Sequence, residues 1–354
     1  MGLRQYIMKR IIYSLVLLVL VMSLNYFIFM IMPGDPTTLF INPYRRGNAT
    51  EVAIQTAALR RLWSIDDPPV IRYFKYLGNM LTWNFGISFN NRESVARQIS
   101  EKLPYTLVLI GGSTVFAIIF GVVLGAFAAH KRGGRFDTFS VVSSLIFYSL
   151  PTFWLGLVLI FIFYTNLGWF PHAMAKPPEW DVGGKFPAPF ALTSSSASSL
   201  GVFVTVNPSE LWRYLSGYAM HSFLPVLTLT LFQYGGFLLL ARATMIEALT
   251  EDYIVTARAK GVAEQSVIFK HALKNASLPL ITSVALSFGF MLSGAIITEG
   301  VYSWPGLGRW IFNAITIKDF NILQAIFYII AVCVILANFI ADLLYGIIDP
   351  RIKY

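Results

Sequence analysis

An all-helical membrane protein with six spans is the fold class this sequence predicts. Composition is the first reason: of 354 residues, 56% are hydrophobic and 13% charged, where a soluble domain carries about 25% charged residues. Six apolar runs are the second, each long enough to cross a bilayer, which takes about 20 helical residues. The third is the placement of Lys and Arg, which crowd the short segments between alternate runs.

Residues 1–32 form the first unit. Arg4, Lys9 and Arg10 precede an apolar run over 11–32 that ends in Met32-Pro33-Gly34-Asp35-Pro36. A cleaved signal peptide has a shorter apolar region ending in small residues, so this run is read as a retained span. Residues 33–103 are polar, mixed in charge and read as an extracytoplasmic segment, with Asn48-Ala49-Thr50 matching the glycosylation pattern. The membrane core is placed at 104–354, with five more spans.

The second span covers 104–129, with Pro104 suited to a first helical turn. Gly121 and Gly125 form a GxxxG that permits close helix contact, more simply as ordinary packing than as a dimer face. The third span covers 138–167, and Pro151 should bend it. Residues 168–220, rich in Pro, Gly, Ser and aromatics, read as an extracytoplasmic loop, with Leu211–Leu215 suited to the interface. The remaining spans cover 221–241, 279–298 and 322–347. Between the last two lies a segment dense in Gly and aromatics, 299–321.

Orientation follows from basic residues. With both termini cytoplasmic, 13 of the 27 Lys and Arg fall in the four inner segments, at 4, 9, 10, 131, 132, 135, 242, 258, 260, 270, 274, 351 and 353. Those segments hold well under half of the extramembrane chain, so the density inside is roughly double. The net charge of +9 is therefore assigned to topology and not to nucleic acid. Cys333 is the single cysteine and the four histidines are scattered, so neither a disulfide nor a metal site is expected. No phosphate-binding GxxxxGK[ST], no HExxH and no GxSxG occurs. Carboxylates and histidines are missing from the central parts of the spans, which argues against a proton-coupled carrier. If the protein moves solute, its energy comes from elsewhere.

The polar stretch 247–279 is where that energy could enter. Ile246, Leu249, Tyr253 and Ala257 recur at helical spacing, with Glu247, Glu251 and Arg258 on another side. Lys260-Gly261 should break this helix. A second helix, marked by Val262, Phe269, Leu273 and Ala276, should stop before Pro279. Ala248, Ala257, Ala259, Gly261 and Ala263 would keep the turn slim enough for a partner's backbone to approach. A solvated amphipathic connector is the plain alternative on pattern alone.

Glu247-Ala248-Leu249, the spacer to Gly261, and Ala276, Leu278 and Pro279 resemble the EAA loop of binding-protein-dependent ABC importer permeases, most of all the B-type permease subunit of the peptide (dipeptide/oligopeptide) family. Leu249 stands where that pattern has Ala, and Ala276 where it has Ile. The resemblance extends through Leu103-Pro104-Tyr105-Thr106-Leu107, Arg132–Asp137, Ser149–Gly156, Ser303–Gly308, Asp342–Tyr345 and Asp349-Pro350-Arg351.

The resemblance implies a type I importer architecture in the cell membrane, with a second, homologous permease completing the pathway as a heterodimer. Two cytoplasmic ATPase subunits, which hold the ATP and Mg²⁺, would dock on the EAA loop at 242–278. Glu247, Ala248, Leu249, Asp252, Ala257, Lys260, Gly261 and Val262 would carry that coupling. This chain itself would bind no cofactor and catalyse nothing. A solute-binding protein would deliver cargo from outside. Gln233, Ser283, Ser287, Met291 and Ser293 are the expected pathway-lining residues. Peptides are the expected cargo, with oligosaccharides as the alternative. Trp169, Trp180, Trp212, Tyr214 and Tyr218 suit sugar stacking or, more simply, interfacial anchoring.

Overall fold

The computed structural model describes residues 3–31, 66–181, 190–194, 202–290 and 295–348, and the single positions 57 and 187. Asn48, Met291, Ser293 and residues 349–354 lie outside them. Apart from one antiparallel hairpin, β1 (Phe190–Ser194) with β2 (Val202–Val206), the described regular elements are helical.

Four helices among the described residues are long and apolar enough to span: Ile7–Ile28 within α1 (Leu3–Ile31), α3 (Val95–His130), α6 (Pro208–Leu249) and Phe320–Leu343 within α11 (Phe320–Ile348). The pair α4 (Arg135–Ser149) and α5 (Thr152–Asn166) makes a fifth if taken as one broken span. The remaining helices are α2 (Pro69–Leu81), α7 (Asp252–Ala259), α8 (Leu273–Phe290), α9 (Ile296–Val301) and α10 (Leu307–Thr316).

Several boundaries differ from the sequence expectation, each for a local reason. The second span starts at Val95, where Ser94 caps the helix by accepting from the Arg97 amide at 3.5 Å. Pro104 therefore lies inside the helix, and the next turn, Leu107–Gly111, widens to π geometry. At Pro151 the chain does more than bend: Leu150 is extended, as a residue before proline prefers, and the two helices meet at 103°. Residues 208–220 are not loop. Asn207 caps α6 by accepting from the Ser209 amide at 3.2 Å, Pro208 sits in the first turn, and the helix runs on for 42 residues. Pro279 does not stop α8, which continues to Phe290 beside α11 and α6. Helical interiors in membranes accept proline when neighbouring elements satisfy the freed backbone groups. Within the described residues α8 reaches Phe290, and a separate short helix, α9, begins at Ile296, before the expected end at 298.

At the centre, α3 lies directly on α6. A Cβ at Gly121 would fall 2.7 Å from the Tyr234 carbonyl oxygen, and one at Gly125 2.6 Å from that of Leu238. The GxxxG thus serves contact within the chain. Helix α4 joins the pair through Gly235, where a Cβ would meet the Ser144 carbonyl at 2.8 Å, and through a bidentate ion pair of Arg242 with Asp137, at 2.6 and 2.8 Å. On the other side α8 meets α11 at Gly289. Helix α1 lies along α11, joined by Arg10–Asp342 at 2.7 Å and by Asn25, which donates to the Gln324 carbonyl at 3.1 Å.

Replacing Gly125 by Leu forces the backbones of α3 and α6 apart, where overpacking costs about 1–3 kcal/mol or more. The thermal midpoint of the purified protein in detergent should fall by several degrees. Gly236→Leu, where a Cβ meets nothing within 4 Å, should leave it within about a degree of wild type or raise it, since Gly disfavours helix interiors by about 1 kcal/mol.

Candidate functional site

Two features stand out, one at an end of α6 and one part-way along it. The first is the polar segment after Leu249. Helix α6 stops there, Glu251 takes an extended backbone, and α7 begins at Asp252. The expected single helix through Ile246, Leu249, Tyr253 and Ala257 is therefore two helices. Gly261 then has φ +73°, a conformation that costs glycine nothing. Its amide donates to the Arg258 carbonyl at 2.9 Å, and the Val262 amide donates to that of Ala257 at 3.2 Å. These two bonds are the Schellman pattern of a helix end, completed by an apolar contact between its first and last members. Val262 and Ala257 supply that contact by packing into one cluster.

Arg258 reaches over this turn. Its Nη2 donates to Glu264 Oε1 at 2.7 Å and its Nε to Oε2 at 3.3 Å, while His130 Nδ1, at the end of α3, lies 3.5 Å from Oε1. The Arg258 guanidinium holds the Glu264 carboxyl below the usual carboxylate range; partial burial opposes this and the His130 charge adds to it. Chain direction then reverses through Glu264–Ser266 and a π-turn, Val267–Ala272, directly into α8.

The inner side of the segment is an apolar knot. Ala126 and Ala129 of α3, Met245 and Ala248 of α6, Ile254 and Ala257 of α7, and Val267, Ile268 and Ala272 pack together, with Phe127 edge-on to Phe269 at 5.4 Å. Ala248 and Ala257 face inward, so they do not slim the outer surface as the sequence suggested; exposed Ala259, Gly261 and Ala263 do. Leu249 and Val262 are half-buried. Glu247, Asp252 and Lys260 face outward, joined by Val255, which is 61% exposed. Sequence reasoning passed over Val255. A lone apolar residue on the charged side of α7 was its only signal.

The second feature is a cavity of about 860 Å³ between α3, α6, α8 and the Ala295–Thr298 segment. Of the five residues expected to line a pathway, Gln233, Ser283 and Ser287 meet there. Thr114, Thr152 and Thr298 add polar groups, and among the described residues no charged side chain lines it. Gln233 is held in place: its oxygen accepts from the Thr114 hydroxyl at 3.2 Å, and its nitrogen donates to Ser113 Oγ at 3.3 Å.

One wall of this cavity is pinned by a buried carboxyl group, Glu299, in the segment that the sequence marked only as dense in Gly and aromatics. Glu299 accepts from the Arg309 amide at 2.8 Å and lies 3.3 Å from the Thr106 hydroxyl, which itself accepts from the Leu307 amide at 2.7 Å. A carboxylate is favoured at the start of a helix by the exposed amides and the helix dipole, and Glu299 occupies that place at α10. Gly306 leaves the room: a Cβ there would lie 2.6 Å from the Glu299 carboxyl carbon. Tyr302 adds a second pin, its hydroxyl 2.8 Å from that of Thr228 and donating to the Gly156 carbonyl at 3.2 Å.

Among the described residues no cluster of His, Cys, Asp and Glu could hold a metal. A helical, multi-span membrane protein is thus defined, with an open cavity whose described lining carries no charge and a hydrogen-bonded polar segment at one end. Residues 121–354 match the family described as the inner membrane component of binding-protein-dependent transport systems, and residues 3–110 match the N-terminal region of such membrane components. The chain belongs to this family of inner-membrane transport components. It is 35% identical over 331 residues to a di/tripeptide transport system permease of Pseudomonas aeruginosa, covering 94% of this chain and 93% of the relative. It is 32% identical over 350 residues, 99% of each chain, to an oligopeptide transport system permease of Bacillus subtilis. A glutathione transport system permease of Escherichia coli strain K12 matches to the same extent.

Removing the Arg258–Glu264 pair should loosen the turn at Gly261. Exposed pairs contribute about 0.2–1 kcal/mol, so Glu264→Gln should speed hydrogen exchange of the amides at 258–266 by up to about five-fold at neutral pH. Because the Glu264 carboxyl is held low, the pair is intact above the ordinary carboxylate range and is lost as pH falls through the lowered value. Wild type and variant should therefore converge in acid.

Proposed function

We propose that this chain is one of two homologous permease subunits of an ATP-driven peptide importer, and that residues 242–278 receive the ATPase subunits. The observation that carries this reading is mechanical continuity. Helix α6 is continuous over 42 residues, with Pro225 inside it, and the part from Gln233 to Leu249 beyond that proline spans about 25 Å at 1.5 Å per residue. It holds Gln233 in the cavity wall and ends with Met245 and Ala248 in the knot behind the polar segment. Helix α8 leaves the same knot and brings Ser283 and Ser287 to the opposite wall. A push on the polar segment is thereby delivered to both sides of the cavity.

In this proposal the spans number six, formed by α1, α3, the α4–α5 pair, α6, α8 and α11. Both termini are cytoplasmic, and segments 33–103 and 168–220 are extracytoplasmic. The partner permease closes the open side of the cavity, the ATPase subunits bind ATP with Mg²⁺, and an extracytoplasmic binding protein delivers the cargo. Glu247, Asp252, Val255, Lys260 and Gly261 form the contact surface. Ala248, Leu249, Ala257 and Val262 shape it from behind. Peptides are favoured over oligosaccharides by the names of the relatives and by the cavity, whose neutral donors and acceptors suit backbone amides of any sequence. Of the aromatic set, Trp180 is unavailable to a sugar ring, being buried, stacked on Tyr214 and seated over Gly217, whereas Trp169 and Trp212 are exposed.

Gly261→Val places a β-branched residue at positive φ, a strain of about 1–3 kcal/mol. In the reconstituted transporter it should reduce ATP hydrolysis stimulated by loaded binding protein at least several-fold, while binding-protein affinity for cargo stays unchanged. Unaltered stimulation would refute docking at this turn. Ser283→Trp fills the cavity instead. It should abolish peptide uptake yet leave the ATPase subunits bound, as read by co-purification; normal uptake would remove the cavity from the pathway.

A further inference from the structure

Helix α2 has three distinct sides. Tyr73, Tyr76, Leu77 and Met80 face the protein: the Tyr73 hydroxyl lies 2.6 Å from that of Ser23, and Tyr76 accepts from Asn25 Nδ2 at 2.9 Å. Tyr26 of α1 donates to the Pro69 carbonyl at 2.9 Å. A second side, next to the first around the helix, is apolar and bare: Val70 is 66% exposed, Phe74 65% and Leu81 58%. The third carries the exposed Lys75 and Asn79, with Lys75 bridged to Asp67 at 2.6 Å.

A helix at the rim of a soluble domain needs only two sides, one for the core and one for water. Three sides are what a helix needs when protein, hydrocarbon and water meet along it. Its depth fits that place. The residues of α1 that it touches, Ser23 to Tyr26, lie near one end of the Ile7–Ile28 span, opposite to Arg10, and Tyr328, beside Trp83, lies near the matching end of α11. The bare side also continues the exposed apolar surface of α1, because Phe27 stacks on Tyr73 at 6.3 Å and Leu24 and Ile28 beside it are exposed. Trp83, exposed just past the helix end, is a residue type that settles at headgroup level.

We infer that α2 lies in the bilayer interface of the leaflet farther from the coupling segment, with Val70, Phe74 and Leu81 in the acyl boundary and Lys75 and Asn79 toward water. The occupant of its bare side is lipid. Residues 69–81 thus belong to the membrane-embedded body and not to a free soluble segment.

The test is collision accessibility of nitroxide labels at single cysteines, Phe74→Cys, Leu81→Cys, Val70→Cys and Asn79→Cys. They are made in a Cys333→Ser background in the complete transporter reconstituted in liposomes. Labels at 70, 74 and 81 should collide several-fold more with oxygen than with a water-soluble nickel chelate, and the label at 79 should show the reverse. High nickel accessibility at 74 and 81 would overturn the assignment. So would protection from both reagents, which would mean that another protein covers this side. Because all four sites are exposed, each variant should retain wild-type uptake, and three apolar-side positions guard against the loss of any one.

Discussion

Gly121 and Gly125 let two helix backbones touch, and the rest of the molecule is arranged around that contact. Apolar side chains gain little by leaving lipid for one another, so close backbone approach and dispersion must hold membrane helices together. The missing side chains let α3 settle against the Tyr234–Leu238 turn of α6. One helix pair then supplies three things. Its middle gives the cavity Thr114 and Gln233, already hydrogen-bonded to each other. Its shared end gives the apolar knot Ala126, Ala129, Met245 and Ala248. Its flank receives α4, locked by Asp137 and Arg242.

Charge is distributed to match. Among the described residues, the polar groups lining the cavity are hydroxyls and one amide, set among apolar side chains and without a charge. The buried carboxyl groups of the described core all have hydrogen-bond partners: Asp137 has Arg242, Glu299 the start of α10, and Asp319 donors from Ser88, Phe89 and Asn90. A buried charge without such partners would cost several kcal/mol. Glu299 and Asp319 use their acceptors to fasten the segments that join the long helices.

Much of this was legible in the residues, for physical reasons that also mark where legibility stopped. Long apolar runs announce spans whatever they pack against, so α1, α3, α6 and α11 were readable. Gly261 was readable because an αL turn after an amphipathic helix is a local event. Gln233, Ser283 and Ser287 were conspicuous as polar residues in apolar runs. Helix extents were harder, because Pro104 and Pro279 look like boundaries until neighbouring helices satisfy the backbone around them. The extension of α6 back to Pro208 hung on a single cap, Asn207, within a segment that reads as loop. The role of Glu299 was out of reach, since its partners Thr106 and Arg309 come from elsewhere in the chain. The inward turn of Ala248 and Ala257 was hidden likewise, because only the fold places α3 behind them.

The central claim is that the coupling segment and the cavity wall move as one body. Spin-label distances within this chain test it, from Thr256→Cys on α7 to Gly236→Cys on α6, in the Cys333→Ser background of the assembled transporter. The distance should keep the same mean and width with and without ATP, while the distance between the two permease subunits' coupling segments shifts. A change in the intrachain distance on adding ATP would mean that the segment flexes against α6, and would contradict the account.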